Sequence, residues 1–91
     1  MRIRVYATLR DLMDGAIHDM PVSHDATVGS VLERLIERHP ALGEKLWDAD
    51  GRLTGYVTIL LNGRSVAYLD GLQSSVDDTD TLALFPPVGG G

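Results

Sequence analysis

An α+β domain, one helix laid across a mixed sheet of four to five strands, is what these 91 residues predict. Three observations predict it: an opening stretch that alternates apolar and polar residues, one segment with clean helical periodicity, and a later β-branched run closed by Asn62-Gly63 and followed by further short strands. Size bounds the rest. A chain this short forms one domain and buries only roughly 60–65% of the surface its unfolded form exposes, so a deep pocket would remove core it needs. That favours a small domain handled by larger partners.

Ile3, Val5, Ala7 and Leu9 alternate with Arg2, Arg4, Tyr6 and Thr8, so the chain is expected to open with a strand that buries one face. Residues 11–15 supply a turn. Residues 17–22 give a weaker second strand in which Pro21 suits an edge or an end, and the two strands form a hairpin. Thr27 is the expected N-cap of the helix, with Val28, Val31, Leu32, Leu35 and Ile36 along one stripe. Glu33, Arg34, Glu37 and Arg38 make its solvated face, and Pro40 sets its end at His39.

Residues 41–51 read as a short helical turn that drops Leu42, Leu46 and Trp47 onto the core, followed by a turn at Asp48, Asp50 and Gly51. Residues 56–61 form a strand, Asn62-Gly63 its hairpin turn, and 66–69 the return strand. A compact connection over 70–75 and a tight turn at Asp77, Asp78 and Asp80 lead to the final strand, 81–85. With the first and last strands as the central pair, the chain's end leaves from the middle of the sheet, and residues 41–55 pack beside it.

Composition excludes several classes of function. Thirteen acidic against eight basic residues give a net charge of −5 with no run of Lys or Arg, which argues against nucleic acid as a ligand. No cysteine means no disulfide, thiolate nucleophile or Cys-based metal site. The aspartates lack the ligand spacing of a calcium loop, so no metal is expected. His18, His24 and His39 lack a partnered nucleophile or carboxylate at a triad's spacing, and neither Gly63-Arg64 nor Gly71-Leu72 makes a phosphate-cradling loop followed by Lys. No bound cofactor is expected. The N-terminal pattern is neither a signal peptide nor a membrane span, which makes the cytoplasm the expected compartment.

The most informative stretch is the last. Phe85, Pro86, Pro87 and Val88 precede Gly89, Gly90 and Gly91. The prolines fix φ and give a stiff exit from the last strand, whereas glycine, without a Cβ, suits a tip that threads a narrow channel. Fully extended, residues 88–91 span on the order of 13 Å at roughly 3.3 Å per residue. The expected division is a domain over residues 1–88 and a flexible glycine tail over 89–91. If Leu82 and Leu84 point into the core, Ala83 and Phe85 face the other side of the sheet. There Phe85 either anchors a partner, framed by Arg2, Arg4 and Tyr6, or caps the core's edge.

The string Leu82-Ala83-Leu84-Phe85-Pro86-Pro87-Val88-Gly89-Gly90-Gly91 resembles the ending of the ubiquitin-like β-grasp sulfur carriers of the MoaD/ThiS type: an apolar strand, often Phe-Pro-Pro-Val, one variable residue and a terminal Gly-Gly. The likeness extends through residues 5–12, through 25–35 with its Thr27-Val28-Gly29 helix start, and to Leu61-Asn62-Gly63, and so covers essentially the whole chain. It implies a β-grasp fold. It implies also that a ubiquitin-activating-type adenylyltransferase spends ATP to adenylate the Gly91 carboxylate, that sulfur then replaces AMP to give a thiocarboxylate, and that Phe85, Pro86, Pro87, Val88, Gly89 and Gly90 meet the partner. The chain is then a co-substrate rather than an enzyme.

The acceptor of the sulfur stays open on this reading. Phe-Pro-Pro-Val favours molybdopterin or tungstopterin synthesis with a molybdopterin synthase large subunit. The extra segment at 46–55 and the turn at 69–72 look more like the longer carriers of cysteine biosynthesis, which serve a cysteine-synthase-like enzyme, and like the archaeal small modifiers. Conjugation of Gly91 to target lysines is the alternative, and an interaction domain with idle glycines is the third reading.

Overall fold

Alternation drives the first strand, β1 (Arg2–Val5), which buries Ile3 and Val5 and exposes Arg2 and Arg4. In the computed structural model, which describes residues 1–54 and 56–86, it pairs antiparallel with β2 (Ile17–Asp19), Ile3 opposite His18. The five strands form one mixed sheet in the order β2-β1-β5-β3-β4, where β3 is Thr58–Leu61, β4 Arg64–Ser65 and β5 Thr81–Phe85. The last strand lies between β1, parallel to it, and β3, antiparallel to it, which bears out the expected central pair.

The opening strand is shorter than its alternation predicts. Tyr6 N–H still donates to the Leu84 carbonyl at 3.2 Å, but the next rung would need an N–H from Pro86, which has none. The Tyr6 carbonyl instead accepts from Leu9 at 3.2 Å, Ala7 takes φ +53°, and the chain coils into the helical turn α1 (Leu9–Leu12). Ala7 is therefore exposed and off the strand, while Leu9 is buried from the helix. The second strand also stops early, at Asp19, and Pro21 lies beyond its end.

The main helix, α2 (Val28–Arg38), forms as its periodicity predicts. Thr27 Oγ1 accepts from Ser30 N–H at 3.2 Å and Ser30 Oγ accepts from Thr27 N–H at 2.9 Å, a reciprocal cap worth about 1 kcal/mol. Val28, Val31, Leu32 and Leu35 are fully buried, each stabilising the fold by roughly 1.5–3 kcal/mol, and Ile36 is half-buried against the core. His39 ends the helix, and Pro40 opens α3 (Pro40–Leu46), whose Leu42 and Leu46 fill the same core. Trp47 packs against that core, as expected.

Asn62 and Gly63 both take positive φ, +51° and +85°, the geometry of the tight hairpin turn their sequence predicts. The return strand is β4, Arg64–Ser65, rather than residues 66–69. Ser65 Oγ accepts from Ala67 N–H at 3.3 Å, and Val66–Tyr68 coils into a 3-10 turn that buries Val66. A second such turn, Gly71–Gln73, lies close against the start of α2: a Cβ on Gly29 would stand 3.2 Å from the Leu72 carbonyl oxygen. The buried Ser74 takes part in the same junction, its carbonyl accepting from Val28 N–H at 2.9 Å. Helices therefore cover one face of the sheet and leave the other open, and no helix among the described residues is long and apolar enough to cross a membrane.

Candidate functional site

Leu82 and Leu84 on β5 are fully buried under the helices, so Ala83 and Phe85 point to the open face, as their parity predicts. Register fills in the neighbours. Ala83 lies opposite Arg4 and Leu60, and Phe85 lies opposite Thr58. Beyond the end of β1, Tyr6 lays its ring on Phe85 with centroids 4.2 Å apart and planes 7° from parallel. Phe85 is half-buried by this stack, and Tyr6 remains 37% exposed. Phe85 thus sits at the end of β5 with one ring face against Tyr6 on the open side of the sheet.

The platform has a cationic flank. Arg4, Arg10, Tyr6, Ala7 and Ile17 line an open groove of about 210 Å³ beside the aromatic pair, and Ile17 is 51% exposed. Among the described residues Arg4 and Arg10 have no ion-pair partner, whereas Arg2 Nε sits 3.1 Å from Asp19 Oδ1. An exposed pair of that kind contributes little stability, so Arg2 frames the site less than expected while Arg4 and Arg10 are free to meet carboxylates. Arg10 and Ile17 are the additions that sequence reading missed. Ile17 was findable from the hairpin register, since Arg4 faces it across the strands, but Arg10 reaches the groove only because Ala7 breaks the strand.

A larger depression of about 570 Å³ lies at the opposite end of β5, near Thr81 and lined in part by Asp78, Thr79 and Asp80, away from the aromatic pair. The aspartates at and beside it are engaged with backbone N–H groups. Asp77 Oδ1 accepts from Thr79 N–H at 2.8 Å and from the Thr79 hydroxyl, Asp80 Oδ2 accepts from Asp77 N–H at 2.8 Å, and Asp78 Oδ1 accepts from Val22 N–H at 2.9 Å. The Thr79 hydroxyl, with that residue's N–H, holds the Asp77 carboxyl below the usual aspartate range. This is the tight turn the sequence predicts.

The histidines also have structural surroundings. His18 Nε2 lies 3.1 Å from the Gly15 carbonyl oxygen, its ring meets His39 edge to face at 5.3 Å, and His24 is exposed. Of the expected partner-binding residues, Phe85 is placed on the open face and Pro86 is buried beside it. Pro87, Val88, Gly89, Gly90 and Gly91, and with them the expected tail over 89–91, lie outside the described residues.

The fold that carries this site is shared with known proteins. Small archaeal modifier protein 3 of Haloferax volcanii is 38% identical over 91 residues, covering 100% of this chain and 98% of that relative. Sulfur carrier protein CysO of Mycobacterium tuberculosis is 31% identical over 67 residues, 71% of this chain and 72% of the carrier. The crystal structure of SAMP1 from Haloferax volcanii superposes with a TM-score of 0.85 at 36% identity, covering 99% of this chain and 97% of that one. The fold is the ubiquitin-like β-grasp these proteins share, and with the ThiS family model matching residues 3–91, the chain belongs to the ThiS family of small sulfur carriers and ubiquitin-like modifiers.

Proposed function

We propose that this protein is a sulfur carrier whose Gly91 carboxylate is adenylated by a ubiquitin-activating-type enzyme and then converted to a thiocarboxylate. The observation that carries the reading is the position of β5: the strand leading to Pro86, Pro87, Val88 and the three glycines is the central one, and it ends beside an open aromatic platform. The protein's own part is positioning. Tyr6 and Phe85 offer an apolar edge, and Arg4 and Arg10 offer cations to a partner whose rim carries carboxylates.

A carboxylate is a poor electrophile. Attack of the Gly91 carboxylate on the α-phosphorus of ATP releases pyrophosphate and leaves an acyl-adenylate, and a sulfur nucleophile then displaces AMP. The ATP is consumed by the partner, and no cofactor or metal stays on the carrier. The thiocarboxylate delivers sulfur in the cytoplasm to a synthase, either of molybdopterin or tungstopterin or of cysteine or another thio-metabolite. The relative of CysO name favours the second destination.

A second reading has its own support, because a full-length relative is named a modifier. In it the same activated Gly91 is joined to lysines of target proteins. One experiment separates the readings: intact mass after incubation with the host's activating enzyme, ATP and a sulfur source. Exchange of one oxygen for sulfur at Gly91 supports the carrier, lysine adducts of higher mass in extract support the modifier, and an unchanged mass with an active enzyme removes both.

A further inference from the structure

We infer that the Gly91 carboxylate of this chain docks on its own Arg4 and Arg10, which holds the reacting end on the domain when no partner is bound. The inference deepens the reading above, because it rests on Gly91 carrying the reacting carboxylate. Its first support is charge. Arg4 and Arg10 line one groove of about 210 Å³ with Tyr6 and Ile17, and no acidic residue lines it. Among the described residues neither guanidinium has an ion pair or a side-chain hydrogen bond, whereas Arg2 is held by Asp19 and Arg34 Nη1 donates to the Pro21 carbonyl at 2.6 Å. Arg10 also borders Asp11 and Asp14 in the adjoining depression, but neither carboxylate lies within ion-pair distance. Two like charges on one groove gain from an anion placed between them.

The second support is where the chain leads. Because β1 and β5 run parallel, both end on the same side of the sheet, and Arg10 follows that end of β1 in the turn α1. Ala83 lies opposite Arg4, and Pro86, the last residue described before the tail, is three residues further on. At about 3.3 Å per residue and about 4.8 Å between strands, Pro86 stands roughly 11 Å from Arg4. Residues 87–91 span at most about 17 Å, which exceeds that distance. A carboxylate at their end has to come back toward the sheet, and Gly89 and Gly90 admit the positive φ that a reversal needs.

The strength of the contact suits its use. An exposed ion pair is weak between separate molecules, but the five-residue tether supplies an effective concentration that lets it form without a partner. The same weakness lets it yield. A partner whose rim carboxylates meet Arg4 and Arg10 takes the place of the tail, so docking and release of Gly91 are one exchange of anions. A thiocarboxylate carries the same single negative charge and docks in the same way.

The test is NMR of the full-length chain at low ionic strength, comparing the wild type, the double variant Arg4→Gln with Arg10→Gln, and a wild type whose Gly91 ends in a carboxamide. Melting temperatures show that each one folds. The expected result is reciprocal: the Gly89 and Gly90 amide shifts move in the arginine variant, and the Arg4 and Arg10 Nε–H resonances move in the carboxamide. In about 1 M salt, where the Debye length is about 3 Å, the wild-type tail shifts are expected to reach those of the arginine variant. Tail amides indifferent to the loss of both arginines, arginine resonances indifferent to the carboxamide, or carboxamide-sensitive resonances on Lys45 or Arg52 instead overturn the inference and leave the activation of Gly91 standing. So does a contact that weakens on dilution, which belongs to the tail of a second copy. Failure of the host's activating enzyme, with ATP and a sulfur source, to convert the wild type to a thiocarboxylate overturns the activation reading, and the release of Gly91 on docking falls with it.

Discussion

Truncation of Phe85 to alanine separates what the aromatic platform contributes to folding from what it contributes to docking. A fully buried Phe→Ala change costs about 3–5 kcal/mol, part of it from the cavity left behind. Phe85 is half-buried on an open face, so no enclosed cavity forms and about half of a full aromatic burial is lost, on the order of 1–1.5 kcal/mol. The parallel stack on Tyr6 at 4.2 Å adds about 0.5–1 kcal/mol. The expected cost of Phe85→Ala is therefore about 2 kcal/mol, which lowers the melting temperature of a domain this size by roughly 8–16 °C.

Urea unfolding of the wild type, Phe85→Ala, Tyr6→Ala and the double variant then isolates the stack, with an expected coupling of about 0.5–1 kcal/mol. Additivity within about 0.3 kcal/mol refutes the claim that the rings stabilise each other. Affinity for the activating enzyme, measured where each variant is still folded, is expected to fall at least about 30-fold for Phe85→Ala, the loss of a central anchor. An unaltered Kd takes Phe85 out of the interface whatever its effect on stability.

Removal of Gly90-Gly91, or addition of one residue after Gly91, is expected to abolish thiocarboxylate formation while moving the melting temperature by no more than experimental error; a large fall in melting temperature would falsify the separation of fold from reacting end. Thr27→Ala breaks the reciprocal cap on α2 and is expected to cost about 1 kcal/mol in urea unfolding, and a change under about 0.3 kcal/mol shows that the Ser74 junction holds the helix start without it. For Asp77 the sign follows from its lowered pKa. The carboxylate contributes stability above the ordinary aspartate value, about 3.9, and loses that contribution as pH falls through the depressed folded value. The melting temperature gap between wild type and Asp77→Ala should thus be widest near neutrality and close in acid; a gap equal at both ends assigns the effect to the turn's shape rather than its charge.

Most of this architecture is legible because the same residues satisfy local and distant demands together. The α2 stripe needs only its period and a capping Thr27 to be read, and β5 needs only its alternation, since Leu82 and Leu84 also face the helix. The misread segments are those where alternation continues past the hydrogen bonds that justify a strand. Residues 6–9 keep a strand's pattern, yet the missing N–H of Pro86, far away in sequence, ends the ladder at Tyr6. Residues 66–69 look extended, but Ser65 captures the Ala67 N–H and coils the chain. The site was half legible for the same reason. Parity gives Phe85, Tyr6 and Arg4, whereas Arg10 joins them through a turn that no periodicity signals.

On the proposed function, the order of the strands explains why a reacting end belongs on β5 rather than elsewhere. The sheet's edges are slight, three residues in β2 and two in β4, and edges open locally at little free-energy cost. By contrast, β5 is paired on both sides from Leu82 to Leu84, and its inward leucines are fully buried, so displacing the strand from the sheet requires something near global unfolding. On that reading, an activating enzyme that bound the Tyr6 and Phe85 platform would not spend binding energy on ordering the strand beneath it. That energy would be left for holding Gly91 against ATP, where positioning lowers the barrier. Had the glycines followed an edge strand, the same contacts would have had to stabilise the strand as well as the complex.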